Sequence, residues 1–159
     1  MRVSMSVAAM AVCLSGQAAF AGLAITEVAS TSGATEIELT GLDWWELTNT
    51  GPVPVSLNGY EWKDSDGGLP GSATPDTAIF PNGFTITAGE SIIIHEGDAS
   101  VPGAFRTAWG LSPTVQILSE DLFGGNNTFS GLSSGGDQVQ LYNNLGSLVS
   151  QVSFGSTSP

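Results

Sequence analysis

Asp43-Trp44-Trp45-Glu46-Leu47-Thr48-Asn49-Thr50-Gly51 packs two tryptophans, a strict alternation and a polar stop into one short stretch. In an extended chain Trp45, Leu47 and Asn49 share one side, while Trp44, Glu46 and Thr48 share the other. Gly51-Pro52 ends the run, because proline offers no N–H to a ladder. The stretch therefore reads as one central strand of a sheet.

Working outward, the same kind of segment recurs. Downstream, Val53, Val55 and Leu57 alternate with Pro54 and Ser56, and Pro52 and Pro54 indicate an edge strand or an extended approach to one. Asn58-Gly59 bends the chain before Tyr60-Glu61-Trp62-Lys63. Upstream, Leu23 to Val28 alternates as a first strand, Thr31 to Ala34 is a turn, and Glu36 to Leu39 is a short strand or an excursion. Beyond a Gly-rich loop (Asp64 to Pro75) come Ala78-Ile79-Phe80, the turn Pro81-Asn82-Gly83, Phe84 to Thr87, and a second turn at Ala88-Gly89-Glu90. Ser91 to Glu96 (SIIIHE) is a near-continuous apolar run, the pattern of the most buried strand.

Residues 97–114 are less regular, with Phe105, Ala108, Trp109 and Leu111 spaced for a short helical turn over a sheet edge. Val115 to Leu118 is a weak strand and Asp121 to Gly131 a loop. Gln138 to Tyr142, the turn Asn143-Asn144-Leu145-Gly146, and Ser147 to Phe154 form the clearest hairpin. Turn-formers recur at the spacing of short strands, so the expected fold class is an all-β sandwich of about seven to nine strands. Its expected core includes Trp45, Leu47, Ile93, Val139, Leu141 and Val152.

The 159 residues suit one domain after a leader. Arg2, the apolar run Val7 to Leu14 and the A-x-A site Ala19-Phe20-Ala21 make up the three parts of a secretory signal. The expected division is a signal peptide at 1–21 and a domain at 22–159, with a secreted, periplasmic or cell-surface location. Cys13, the sole cysteine, lies in the leader, so the domain does not depend on a disulfide. No membrane span is expected in the mature chain. Fifteen acidic residues then stand against Lys63 and Arg106, a balance that opposes nucleic-acid binding and favours solubility and divalent-cation association.

Motifs with catalytic precedent are weak. Gly131-Leu132-Ser133-Ser134-Gly135 fits G-x-S-x-G, but a nucleophile elbow lies between a strand and a helix. Here a loop precedes it, a strand follows, and the single histidine, His95, comes before the serine. His95 closes the SIIIHE run and reads as a strand-end residue, although Glu96 and Asp98 are close in sequence. Asp64-Ser65-Asp66-Gly67 opens like a calcium loop, yet Gly68 stands at the third acidic position and no completing Glu follows at the right distance. Glu46 and Glu61, beside Trp44 and Trp62, raise the idea of a paired-carboxylate glycosidase, against which tryptophan is more often core. Asn126-Asn127-Thr128 is a glycosylation sequon. No catalytic, cofactor-binding or metal-ligating residue is assigned, and no cofactor is expected.

Laid in order, these residues resemble the lamin tail domain family. Ile25-Thr26-Glu27-Val28 matches the opening strand. Asp43 to Gly51 is similar to the family's D-W-I-E-L-x-N strand. Val55 to Trp62 is similar to V-x-L-x-G-W-x-L, with Trp62 displaced by one or two positions. Phe80 to Glu90 resembles F-P-x-x-x-x-L-x-A-G, Leu132 to Leu141 resembles L-S-N-x-G-D-x-V-x-L, and Leu148 to Gly155 resembles V-D-S-V-x-Y-G. The resemblance implies an immunoglobulin-like β-sandwich without catalytic residues, of a kind found in nuclear lamins and in exported bacterial proteins. It implies a binding or tethering module whose partner is a protein or a cell-surface polysaccharide. Two alternatives stand beside it: an accessory domain of a larger exported nuclease or phosphatase, and a calcium-dependent surface or matrix protein.

Overall fold

The computed structural model describes residues 22–30, 42–64, 78–125, 131–133 and 136–155. The leader, the 31–34 turn, the 36–39 segment, the sequon and most of the Asp64–Pro75 loop lie outside them. The described residues form eleven strand segments, one α-helix and one 3-10 turn. The count exceeds the expected seven to nine because several segments are only two residues long.

Two sheets carry the fold. One has four strands in the order β1 (Leu23–Ala29), β2 (Trp44–Asn49), β7 (Ser91–His95) and β8 (Gln116–Ser119). The other has five, in the order β11 (Leu148–Phe154), β10 (Asp137–Tyr142), β4 (Glu61–Lys63), β5 (Ala78–Ile79) and β9 (Gly124–Gly125). β3 (Val55–Ser56) and β6 (Thr85–Ile86) pair separately, consistent with the edge expected from Pro52 and Pro54. The 121–131 loop differs from expectation, since Glu120–Leu122 forms a 3-10 turn and β9 adds a strand to the larger sheet.

β2 is an interior strand, antiparallel to β1 on one side and to β7 on the other. Its inward residues Trp45 and Leu47 are fully buried. Trp45 packs against Trp62 of the opposite sheet, ring centroids 5.5 Å apart, and edge-on against Phe80 at 6.5 Å. Ile92 and Ile94, in register with Leu47 and Trp45, join the same core, as do Val139 and Leu141 from β10. Val152 is partly buried at its margin.

Ile93 corrects the expected core. It is buried, but opposite Glu46 in the register, so it faces outward into a second cluster with Trp44 and Phe105. The cause is the connection between β7 and β8. These strands are parallel, and a parallel pair needs a crossover, usually helical. Helix α1 (Val101–Trp109) supplies it. It covers the outer face of the sheet, not merely an edge, and runs longer than the single turn expected. Phe105 and Trp109 meet the Trp44 ring edge-on at 5.5 and 5.6 Å. Gly110 ends the helix at φ 62°, a left-handed conformation that glycine adopts without steric cost. The Leu111 N–H then returns to the Arg106 carbonyl at 2.9 Å, which directs residues 111–115 back across the sheet.

Candidate functional site

The polar residues of the opening motif fall into two groups. Asp43 and Asn49, at its ends, hold loops. The Leu132 N–H donates to Asp43 Oδ2, and the Glu96 N–H donates to the Asp43 carbonyl at 2.9 Å. Asn49 is fully buried. Its Nδ2 donates to the carbonyls of Val53 (2.8 Å) and Ile86 (3.1 Å), and its Oδ1 accepts from Gly51 N–H at 3.0 Å. One amide side chain thereby ties the 51–53 loop to strand β6.

Glu46 and Thr48 belong to the second group, on the outer face. A bulge in β1 between Ile25 and Glu27 breaks the one-to-one pairing and presents Thr26 to that face. Thr26 Oγ1 donates to Glu46 Oε1 at 2.5 Å and lies 2.9 Å from Thr48 Oγ1. Thr48 Oγ1 also reaches Glu46 Oε1 at 3.3 Å and Ser91 Oγ at 2.7 Å. The result is a hydroxyl ladder across three strands, anchored on one carboxylate oxygen. Glu46 and Glu27 are direct register partners, an unfavourable placement for two like charges.

Beside this ladder runs an open groove of about 430 Å³, lined by Glu46, Glu90, Ser91, Ile93, Leu111, Thr114 and Val115. It lies between the sheet and the chain returning from α1. Its volume falls in the range of small-ligand sites, and it combines apolar side chains with a few convergent polar groups. Glu90 is already engaged. Its Oε2 accepts from the Thr87 N–H (2.7 Å) and hydroxyl (2.8 Å), and its Oε1 from Gln116 Nε2 (2.5 Å). Burial pushes the Glu90 pKa up, but these three bonds outweigh it and hold the carboxyl below its ordinary value.

His95 is buried on the same outer face, under the helix, with its ring stacked on Phe105 at 6.4 Å. Its Nδ1–H donates to the Glu96 carbonyl, and Nε2 has no partner among the described residues. Burial depresses its pKa against the opposing pull of the Glu96 carbonyl and the Asp121, Glu120 and Asp98 carboxylates. Among the described residues no group of three or more His, Cys, Asp or Glu is placed to hold a metal ion. No described helix is long and apolar enough to cross a membrane.

The weaker motifs resolve in structural terms. Ser133 sits in a turn leading into strand β10, not on a strand-to-helix elbow. Its N–H donates to Asp137 Oδ2 at 2.9 Å, and its carbonyl accepts from Gly136 at 3.1 Å. Ser134 and Gly135 lie outside the described residues. Glu46 and Glu61 do not form a pair. Each alternates with a core tryptophan and belongs to a different sheet, so the sandwich stands between them. Two carboxylates flanking a glycosidic bond must share one cleft. Of the calcium-like loop only Asp64 is described, and it is buried.

The groove itself escaped sequence reading. Glu46 was visible as an outward residue of β2, but its partners depend on the β1 bulge and on the return from α1. The one available signal was the cluster of small hydroxyl residues, Thr26, Thr48 and Ser91, on outward positions of three separate strands.

A search of curated proteins finds no match to this chain. A protein-family model described as Lamin Tail Domain matches residues 16–156, nearly the whole length. That match, the two-sheet immunoglobulin-like architecture and the D-W-W-E-L-T-N strand at its centre agree: the chain belongs to the lamin tail domain family.

Proposed function

We propose that this chain is an exported, non-catalytic binding module whose contact surface is the outer-face groove between β2, β7 and residues 111–115. The observation that carries the reading is a division of labour among polar side chains. Asp43, Asn49, His95 and Asp137 are spent on backbone groups that hold loops. Glu46 and Ser91, in contrast, line a groove open to solvent. Membership of an immunoglobulin-like family supports the same reading. Export is supported by the three-part leader at 1–21. The partner is a protein or a cell-surface polysaccharide.

The test is to express the chain from its own leader, read the mature N-terminus by mass spectrometry, and use that product as bait against envelope extract and a glycan array. Gly22 is the expected first residue. Thr114→Trp, at an exposed groove position, should abolish the captured interaction while leaving the thermal melt unchanged. Retention of the leader would remove export from the proposal. Capture unaffected by Thr114→Trp would remove the groove.

A further inference from the structure

We infer that the groove takes the side chain of a lysine carried on a partner polypeptide, with Glu46 Oε2 as the receiving atom. This deepens the reading of the groove as the contact surface and rests on it. Four observations converge. First, both ionisable groups lining the groove, Glu46 and Glu90, are acidic, and the chain carries a formal net charge of −12. Such a field attracts cationic ligands and repels nucleic acid and anionic polysaccharide. Second, Glu27 and Glu46 are direct cross-strand partners, a repulsion that a bound cation would relieve.

Third, the carboxylate's bonding selects the shape of the cation. Glu46 Oε1 already receives the Thr26 and Thr48 hydroxyls, while Oε2 has no hydrogen-bond partner among the described residues. A guanidinium fork wants both oxygens of a carboxylate, whereas an ammonium is a compact point charge satisfied by one. Ser91 Oγ, which can donate to Thr48 Oγ1 at 2.7 Å, keeps a lone pair for a second ammonium N–H. Fourth, Ile93, Leu111 and Val115 give the groove an apolar lining, which suits the four-carbon stem of lysine. Glu90 is occupied by Gln116 and Thr87, so the groove presents one ammonium position rather than a row. That favours a single lysine over a free polyamine with several charges. Arg106 does not compete for the site. Its Nη2 donates to the Val115 carbonyl at 2.7 Å and it lines a separate cavity with Gly103 and Thr107.

The probe is an alternating glycine–lysine peptide capped at both ends, titrated into the mature chain by calorimetry, with NMR mapping. Shifts should cluster at Ser91, Ile93, Leu111 and Val115. Glu46→Gln should weaken binding about tenfold, the usual scale for a hydrogen bond to a charged group. Asp98→Asn removes the same charge from an exposed position outside the groove and should change affinity less than about twofold, as a surface charge does. Acetylating the lysines should abolish binding. Absence of binding, equal losses in the two variants, or equal binding of the acetylated peptide would each overturn the inference. So would spermidine displacing the peptide as effectively as unlabelled peptide does. If Thr114→Trp still abolishes capture of a natural partner while the lysine peptide fails to bind, the inference falls and the binding-module reading stands. If Thr114→Trp leaves capture intact, that reading falls by its own test.

Discussion

The two sides of β2 do different work with adjacent residues. Inward, Trp45 and Leu47 join two sheets into one core, and Asn49 ties the 51–53 loop and β6 to it. Outward, Trp44 seats a single helix, and Glu46 and Thr48 feed a hydroxyl ladder that ends at an open groove. Both tryptophans are almost wholly buried, so burial does not separate them. What separates them is what each one meets: Trp45 packs on Trp62 and Phe80 in the core between the sheets, Trp44 on the α1 rings. The inner side specifies the fold, and the outer side is where this sandwich departs from a plain one.

Removing each tryptophan in turn tests that difference most strongly. Trp45→Ala should cost about 3–5 kcal/mol, because the cavity opens between sheets that cannot close around it. That is a large share of the roughly 5–15 kcal/mol that holds a domain together. Trp44→Ala deletes the same atoms but loosens chiefly the α1 contacts, so its cost should sit near about 3 kcal/mol. Urea unfolding gives the two values. Amide exchange should show protection lost first in Val101–Trp109 for Trp44→Ala and throughout both sheets for Trp45→Ala. Equal, global losses would break the comparison.

Asn49 is the polar member of the inner side. Asn49→Ala strands two buried carbonyls and an N–H, which should cost about 2–3 kcal/mol. Asn49→Asp should do no better. A carboxylate keeps the acceptor for Gly51 but has no N–H to give Val53 and Ile86. Denaturant midpoints for the two variants check this, and a near-neutral Asn49→Asp would show that the two carbonyls find other donors.

Much of the inner side was legible in the sequence, because alternation with period two needs no knowledge of distant partners. Trp45, Leu47, Val139 and Leu141 follow from it directly. So does the 137–154 hairpin, whose turn is written locally in Asn143 and Gly146. The outer side was not legible, for three reasons. The run Ile92-Ile93-Ile94 is apolar on both faces and so does not say which isoleucine faces the helix; only the register with β2 does. Helix α1 is nine residues long, contains Gly103 and has no acidic first turn, so it carries little helical signal. The groove joins residues separated by as many as 69 positions, from Glu46 to Val115, and no local pattern spans that distance. The roles of Asp43 and Asn49 within the motif were likewise invisible, since Asp43 meets Leu132 and Glu96, and Asn49 meets Ile86 of β6, all far along the chain.

His95 sharpens the comparison through pH. Burial under α1 holds its folded pKa below the ordinary 6.5, so the unfolded chain takes up the proton first. Stability from this group is complete above the unfolded value and is lost progressively as pH falls below it. Glu96 works in the opposite sense. Burial first, then the Asp43 and Glu120 carboxylates, raise its folded pKa above 4.5, which favours the folded state as pH falls through that raised value. The melting temperature should therefore fall between about pH 7 and pH 5.5, and His95→Gln should flatten that slope. An unchanged slope in the variant would assign the acid sensitivity to the carboxylates instead.

Glu46→Gln carries the smallest expected change in stability. Glutamine keeps an acceptor at the Oε1 position, so the Thr26 and Thr48 hydroxyls retain their partner. Losing the charge weakens those bonds, but it also removes the repulsion from Glu27 across the strand pair. The two terms oppose each other and are of similar size, and the net change should stay within about 0.5 kcal/mol, as for most partly exposed positions. Urea midpoints and m-values for the wild type and Glu46→Gln provide the measurement. A loss above about 2 kcal/mol would mean that the ladder needs its negative charge to hold the sheet, which would move Glu46 from the open side of β2 to its structural side. A neutral result leaves the carboxylate without a structural reason for its charge, which is what a role in the groove it lines requires.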